Sequence, residues 1–361
     1  MARRIIIIGA NAAGVEAASA ARKKDRTAEI TLITKEKTAG YSRCGLPFVI
    51  GGHIGSFRDL VVYQPAFFQM LKLNLRLQTQ ALAINTKEKT VTVQTKEGPT
   101  ETLPYDSLVV ATGAEPFMPP IKGNEKKGIL SLRSMEDGER IDAAVRSGAK
   151  SAIIMGAGLI GLELGVGLIE RGLNVTVIEM LPQILPQLLD ADMAKIVQQH
   201  LEEKGMRILL NKTVEEFLGD DSVTAVKAGG DSLEADLFIS AFGVRANTKL
   251  AVEAGIPLGE SKGIKTNGRM ETEVKDVYAV GDCAETTHIV THRPVCPQLG
   301  TVAVREGKVA GANAAGDYSL FSGVLASAVT RLFDIEAGNT GLTENAAQRN
   351  RIEVVTGTIS S

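Results

Sequence analysis

The sequence predicts an α/β protein organised around two parallel βαβ units, and three observations predict it. An all-apolar strand runs directly into a glycine turn and then a helix-forming stretch at the N-terminus, "RIIIIGANAAGVEAASAARK". The same order returns in mid-chain as "SAIIMGAGLIGLELG". Glycine is abundant, at 37 of 361 residues, while aromatics are only 4% with no Trp, which suits a fold with many close backbone approaches.

A chain of 361 residues is long enough for two or three domains, each with its own core. With 44% hydrophobic and 23% charged residues and a formal net charge of −2, the composition is that of an ordinary globular protein. That balance gives no reason to expect a nucleic-acid or membrane partner. No apolar run approaches the ~20 residues of a membrane span. The apolar run Ile5 to Ile8 is cut off at once by Gly9, so it reads as a buried strand and not as a signal peptide. Three cysteines argue against a disulfide framework and for a reducing, cytoplasmic setting. The two βαβ halves are the only internal duplication in the sequence.

In the first unit, Ile5 to Ile8 has the β-branched, unbroken apolarity of a parallel strand covered on both faces. Gly9 is placed for the tight turn and Gly14 for close helix–strand contact. Asn11 stands where the middle glycine usually falls, and its tolerance of unusual backbone angles is the reason to accept it there. The strand "EITLIT" completes the unit. Glu36 lies just beyond it, either as a ribose-binding acid or as an exposed loop charge.

The second unit carries the full G-x-G-x-x-G spacing at Gly156, Gly158 and Gly161. A diphosphate belongs at the helix N-terminus that follows, where free N–H groups and the helix dipole favour negative charge. Glu179 ends the next strand, "NVTVIEM", about twenty residues on, where an acid accepts a ribose 2′-hydroxyl and repels a 2′-phosphate. NAD(H) is therefore expected over NADP(H). Two further strand ends, Thr112 and Gly113 in "LVVATGAEP" and Gly281 and Asp282 in "VYAVGDCAE", add small residues for close approach and an acid for a ribityl or ribose hydroxyl.

Taken with "YSRCGLP", "LGTVAVREGKVAGANAAG" and "FDIEAGNTGLTE", these motifs resemble the FAD-dependent pyridine nucleotide-disulfide oxidoreductases over essentially the whole chain. The resemblance is to the single-cysteine branch, which includes CoA-disulfide reductases, persulfide reductases, NADH oxidases and NADH peroxidases. It implies two Rossmann-like domains: an interrupted FAD domain at 1–115 and 241–317, and an NAD domain at 116–240. Residues 318–361 would begin an α+β dimerisation domain that stops short of its usual extent, so the chain reads as truncated and the full form as a homodimer. Implied FAD contacts fall on Gly9, Asn11, Ala12, Gly14, Glu36, Arg43, Thr112, Gly113, Gly281 and Asp282. Those for NADH, with NADPH disfavoured, fall on Gly156, Gly158, Ile160, Gly161, Glu163, Glu179 and Gly243. Glu163 has a purely structural helix-face role as its alternative.

The resemblance gives Cys44 a specific meaning. Two-cysteine members of the family carry their redox pair about four residues apart, and the positions at that spacing here are Gly40 and Phe48. Cys44 is thus expected to act alone, cycling between thiolate and a mixed disulfide, persulfide or sulfenic acid, with an inert buried cysteine as the alternative. Arg43, and a helix in "LPFVIGG" with Pro47 near its start, would favour the thiolate. The implied route runs from NADH through FAD to Cys44. Oxidases and peroxidases of the family often carry His where this chain has Ala12, which argues for a sulfur acceptor, although Asn11 resembles the oxidases. Three readings follow: a reductase of CoA disulfide, CoA persulfide or a similar small sulfur substrate; an oxygen-reducing NADH oxidase; and a flavin- and NAD-binding redox sensor.

For a CoA substrate, Ser42, Arg22, Lys23, Arg43 and Lys72, the last in a "QMLKLN" helix, are candidate contacts, while Glu16 disfavours a phosphate nearby. The cluster "ARKKDR" also reads as a solvated helix end. Cys283, His288, His292 and Cys296 form a C-x4-H-x3-H-x3-C series of zinc-ligand type, but the segment is broken by Pro and no metal is predicted. His53 and His200 look isolated.

Overall fold

The first apolar run forms strand Arg4–Ile8, with Ile5 and Ile7 fully shielded from solvent, in the computed structural model, which describes residues 2–360. It pairs in parallel with Glu29–Ile33 on one side and Ser107–Val110 on the other. Asn74–Arg76 and Val277–Ala279 extend this to a five-stranded parallel sheet with Arg4–Ile8 at its centre. Each fully buried Ile or Val stabilises the fold by roughly 1.5–3 kcal/mol, which is why the run contains no polar residue.

Helix Ala12–Lys24 covers this sheet and packs closely on helix Gly300–Ala314, with glycines of the second against alanines of the first and Lys308 reaching Glu16 at 3.9 Å. A Cβ on Gly307 would lie 2.3 Å from the carbonyl oxygen of Ala13, and one on Gly311 would lie 2.0 Å from that of Ala17. The two helix backbones therefore touch. A three-stranded antiparallel sheet, Thr79–Asn85, Thr90–Thr95 and Thr100–Pro104, completes a unit made of residues up to 44, 58–115 and 244–326.

The second unit comprises 45–57, 116–243 and the residues from 327 on. It repeats the plan. Its parallel sheet runs Arg207–Leu209, Asn174–Ile178, Ser151–Met155, Leu237–Ser240, Ile129–Ser131, with helix Leu159–Glu170 packed against it. It too carries a three-stranded antiparallel sheet, Val214–Leu218, Ala225–Ala228 and Asp231–Glu234. Among the described residues no helix is long and apolar enough to cross a membrane.

The units differ from the expected division in two places besides a shift of one crossing from 240/241 to 243/244. The segment after Cys44 belongs to the second unit, because helix Leu46–Ile50 packs on Leu159–Glu170: a Cβ on Gly51 would lie 2.9 Å from the Cα of Gly167. Arg171 locks that contact by donating to the carbonyl of Ile50 at 2.8 Å and to Asp142 at 3.2 Å. The C-terminal residues do not form a core of their own. Residues 318–326 stay with the first unit, where Asn313 clamps Ser319. The hairpin Ala328–Leu332/Ile335–Asn339 lies with the second, tied by Thr330 to Glu163 and by Asp334 to His200.

The helix contact gives a direct test. Gly311→Ala should destabilise the protein by about 2–3 kcal/mol, since the clash is with backbone. Gly300→Ala, in the same helix with no atom within 4 Å of the added carbon, should change stability by less than about 0.5 kcal/mol. Urea unfolding midpoints of the two variants compare them directly.

Candidate functional site

The first nucleotide loop is built by exclusion of side chains. Gly9 has φ +116°, and a Cβ there would lie 2.0 Å from the carbonyl oxygen of Ala111; one on Gly14 would lie 1.8 Å from that of Gly9. Asn11 is accepted for a different reason from the expected one. Its φ of −120° and ψ of −159° are ordinary extended backbone, so nothing at this position requires glycine. Its Nδ2 is buried with no hydrogen-bond partner, although the side chain stands at the helix N-cap. Gly281, at φ +75°, closes the loop from the other side, and a Cβ on it would meet that of Ala13 at 3.0 Å. Its N–H is donated to Glu306 Oε2 at 2.7 Å. Thr112 Oγ1 donates to the carbonyl of Asn247 at 2.6 Å, and Gly113 accepts from the Asn247 N–H, which fixes the neighbouring strand end.

In the second loop the three glycines have separable roles. A Cβ on Gly156 would lie 2.2 Å from the carbonyl oxygen of Ala241, and one on Gly161 would lie 2.3 Å from that of Gly156. Gly158 has φ −84° and ψ −177°, and an added Cβ would meet no atom within 4 Å. The protein itself needs the outer two, and the middle one leaves room for a ligand. Glu179 is buried and braces the loop: it accepts the Ala157 N–H at 2.8 Å and the Leu181 N–H at 2.9 Å. A carboxylate has about four lone-pair positions, so ribose hydroxyls still find acceptors there. Ile160 is exposed at the helix start, and Gly243, at φ +105°, accepts the Phe117 N–H at 2.9 Å. Burial raises the pKa of Glu163, against the opposing hydrogen bond from Thr330 Oγ1 at 2.7 Å.

Cys44 is exposed in the short turn Arg43–Gly45 that leads into helix Leu46–Ile50, with Pro47 in the helix's first turn as expected. No disulfide joins any two of the three cysteines. The turn is held from the strand "EITLIT" side. Glu36 accepts Arg43 Nη2 at 2.5 Å and the Tyr41 hydroxyl at 2.7 Å, while Ser42 donates its N–H to the carbonyl of Leu60 at 2.8 Å. Burial alone would lower the pKa of Arg43, but the charges of Tyr41, Glu36 and Asp282 outweigh it and raise the value. Glu36 is therefore not the exposed loop charge of the second expectation: its carboxylate is engaged on the Cys44 segment.

The other cysteines are of a different kind. Burial pushes the Cys283 thiol up, and that of Cys296 up to about 12, with Cys283 and Asp282 adding to it. Cys296 Sγ donates to the carbonyl of Asp282 at 3.3 Å. His288 is buried with Nδ1 accepting from Val290 and Thr291 N–H groups. Among the described residues no three metal-ligating side chains converge.

Several substrate candidates are placed elsewhere. Arg22 donates to four backbone carbonyls, those of Leu71, Lys72, Asp25 and Arg26, and so ties the end of helix Ala12–Lys24 to the next loop in place of a phosphate. Lys72 lies past the end of helix Pro65–Met70, exposed in a left-handed turn at φ +50°, because that helix stops before it. Lys23 is exposed in the last turn of its helix. Glu16 accepts the Tyr63 hydroxyl at 2.5 Å. His53 and His200 are paired, with Glu170 at 2.6 Å and Asp334 at 2.8 Å. Sequence reasoning missed Glu306, Thr330 and Tyr41. Only Glu306 left a trace, as an acid on the small-residue stripe of its helix beside Gly307, Ala310 and Ala314.

Both loops fit dinucleotides. Around the first, Gly9 and Gly14 admit no side chain and Gly281 stands beside Asp282, as close approach of a dinucleotide requires; around the second, the open Gly158 and the acid Glu179 suit NADH. The pyridine nucleotide-disulphide oxidoreductase family matches residues 3–307. The chain is 43% identical to an NADH oxidase of Methanocaldococcus jannaschii, over 98% of this chain and 79% of that protein. It is 32% identical to a CoA-dependent NAD(P)H sulfur oxidoreductase of Pyrococcus abyssi, over 99% of this chain and 80% of that one. Its fold superposes on an NAD-dependent persulfide reductase from A. fulgidus with a TM-score of 0.93 at 36% identity, covering 96% of this chain but only 66% of that one.

The separable glycine roles predict separable defects. Gly161→Ala should lower stability by about 2 kcal/mol through its backbone clash. Gly158→Ala should unfold like the parent yet bind NADH about tenfold or more weakly. Thermal unfolding, with NADH titration by fluorescence, reads both.

Proposed function

Because the chain belongs to the pyridine nucleotide-disulphide oxidoreductase family, we propose that it is an FAD-dependent NADH oxidoreductase that reduces a CoA disulfide, a CoA persulfide or a similar small sulfur compound through Cys44. The observation that carries the reading is an exposed cysteine on the nucleotide-loop unit with Gly40 and Phe48 at the spacing where a redox partner would stand. Support comes from relatives named as sulfur and persulfide reductases.

FAD, when bound, supplies the two-electron relay between nicotinamide and sulfur. The chain's own part is to seat it on Gly9, Asn11, Gly14 and Gly281 and to orient a ribityl or ribose hydroxyl with Asp282. Gly158 and Glu179 seat NADH, and Glu179 disfavours a 2′-phosphate. With a disulfide substrate, the Cys44 thiolate attacks one sulfur, the S–S bond breaks, and one thiolate leaves while the other half stays as a mixed disulfide. Two electrons originating from NADH then cleave that mixed disulfide, releasing the second thiolate and restoring Cys44. One disulfide, one NADH and one proton thus give two thiols and NAD⁺. A thiolate leaves without general acid help, which fits an apolar Ala12 in the first loop. A homodimer belongs to the same reading: Tyr318 and Leu320 are 68% and 59% exposed in the first unit, and Val329 is 69% exposed in the second.

An oxygen-reducing NADH oxidase is the second reading, favoured by the 43% identical relative of that name and by Asn11. Anaerobic reduction of the purified flavoprotein by NADH, followed by mixing with CoA disulfide, CoA persulfide or oxygen, separates the two. The expected result is reoxidation by a sulfur acceptor at turnover speed, slowed on the order of a hundredfold or more in Cys44→Ser. Turnover-speed reoxidation by oxygen alone sinks the sulfur reading, and absence of bound flavin after reconstitution removes the enzyme class. Reduction by NADPH as fast as by NADH would refute the role given to Glu179.

A further inference from the structure

We propose that Glu36 is a positioning residue for Cys44: anchored beside the first sheet, its carboxylate grips the side chains of Arg43 and Tyr41 and opposes the charge by which Arg43 favours the thiolate. The inference rests on the reading of Cys44 as the reactive thiol.

Glu36 is the fixed side of the contact. It follows strand Glu29–Ile33, its N–H is donated to Thr34 Oγ1 at 3.3 Å, and its carbonyl accepts the Gln78 N–H at 3.1 Å. From that anchor the two carboxylate oxygens divide their work. Oε1 accepts Arg43 Nη2 at 2.5 Å, and Oε2 accepts the Tyr41 hydroxyl at 2.7 Å. The Arg43 guanidinium carbon lies 5.5 Å from the centre of the Tyr41 ring, so three side chains close a triangle just ahead of Cys44. The ion pair is not a solvent-screened surface bridge, because the Arg43 and Glu36 side chains are only 26% and 18% exposed. The backbone of the same segment is tied separately: Ser42 donates to the Leu60 carbonyl, and the Gly40 carbonyl accepts the Val62 and Tyr63 N–H groups. What Glu36 adds is side-chain orientation and charge.

The two charges act on the thiol with opposite sign. A guanidinium next to Cys44 in the turn Arg43–Gly45 favours the thiolate, and a carboxylate fixed on that guanidinium disfavours it. Burial lowers the Arg43 pKa, while Tyr41, Glu36 and Asp282 raise it. The segment that pairs with the turn through Leu60 and Val61 carries Arg58, Asp59 and Tyr63, all unchanged in the variants below.

The test uses FAD-loaded protein with its thiols reduced, treated with iodoacetamide across about pH 5–10, and reads Cys44 alkylation by peptide mass spectrometry. Flavin content is matched between variants by reconstitution, so that a change in FAD occupancy is not read as a change at the thiol. Glu36→Gln keeps an oxygen for Arg43 and Tyr41 but loses the charge, so Cys44 should titrate about half a pH unit or more below the parent. Arg43→Gln should move it upward, and loss of structure alone would not give opposite signs. Glu36→Ala also releases both side chains and should turn over a sulfur acceptor about fivefold or more slower than Glu36→Gln. The proposal fails if Glu36→Gln titrates with the parent or above it, if Arg43→Gln moves the thiol downward, or if Glu36→Ala is as fast as Glu36→Gln. A parent Cys44 that alkylates at no pH overturns the reactive-thiol reading itself, which is a separate result.

Discussion

At Gly14 a Cβ would sit 1.8 Å from the carbonyl oxygen of Gly9, and at Gly161 it would sit 2.3 Å from that of Gly156. This contact between a helix's first turn and the turn before it is what the rest of the site depends on. It lets the helix start immediately after the strand, so the free N–H groups of its first turn face the space above the sheet's carboxyl edge. Any side chain at either position would push the helix away and turn those groups elsewhere. The buried strands Arg4–Ile8 and Ser151–Met155 supply the rigid reference against which the approach is made.

A loop held this tightly still needs its amides oriented, and the chain uses carboxylates for that. Glu179 takes the Ala157 and Leu181 amides in one unit, and Glu306 takes the Gly281 amide in the other. The same device recurs at the amino ends of the strands, where Asp106 accepts the Arg4 N–H and Asp236 accepts those of Lys150 and Ser151. The two sets differ in solvent access. Asp106 and Asp236 have depressed pKa values, chiefly from side-chain hydrogen bonding by Arg4 and from the Lys150 amide respectively, so they brace the strands as anions. Glu306 is sealed from solvent with one oxygen unpaired, and ionising it there is far more costly.

What the sequence made legible is what local backbone geometry dictates. The apolar strands, the glycine turns, the two parallel sheets and the helix after Cys44 all follow from residue type and spacing over a few positions. The destinations of long side chains do not. Arg22 reads as a phosphate ligand until the carbonyls of Leu71 and Lys72 arrive from another loop. Glu36 reads equally as an exposed loop charge until Tyr41 and Arg43 fold back onto it. The segment 45–57 joined the second unit through Gly51 meeting Gly167, a contact between residues more than a hundred positions apart that no local pattern signals. The backbone tolerance expected of Asn11 is not called upon, because its φ of −120° and ψ of −159° are open to any residue.

The pairing of Glu36 with Arg43 bears on how the Cys44 turn works. A bare Arg43 would favour any anion beside it, the thiolate product included. Arg43 instead sits 2.5 Å from Glu36, with Asp282 also acting on it, so carboxylates already oppose its charge before substrate arrives. In the proposed cycle two thiolates must leave for each disulfide consumed, and a compensated cation retains them less than a bare one would. The planar guanidinium is held by Glu36 and lies 5.5 Å from the centre of the Tyr41 ring, which fixes its orientation. The turn is thereby fixed in shape without becoming an anion trap, which suits a cysteine that forms and breaks a bond to sulfur in every cycle.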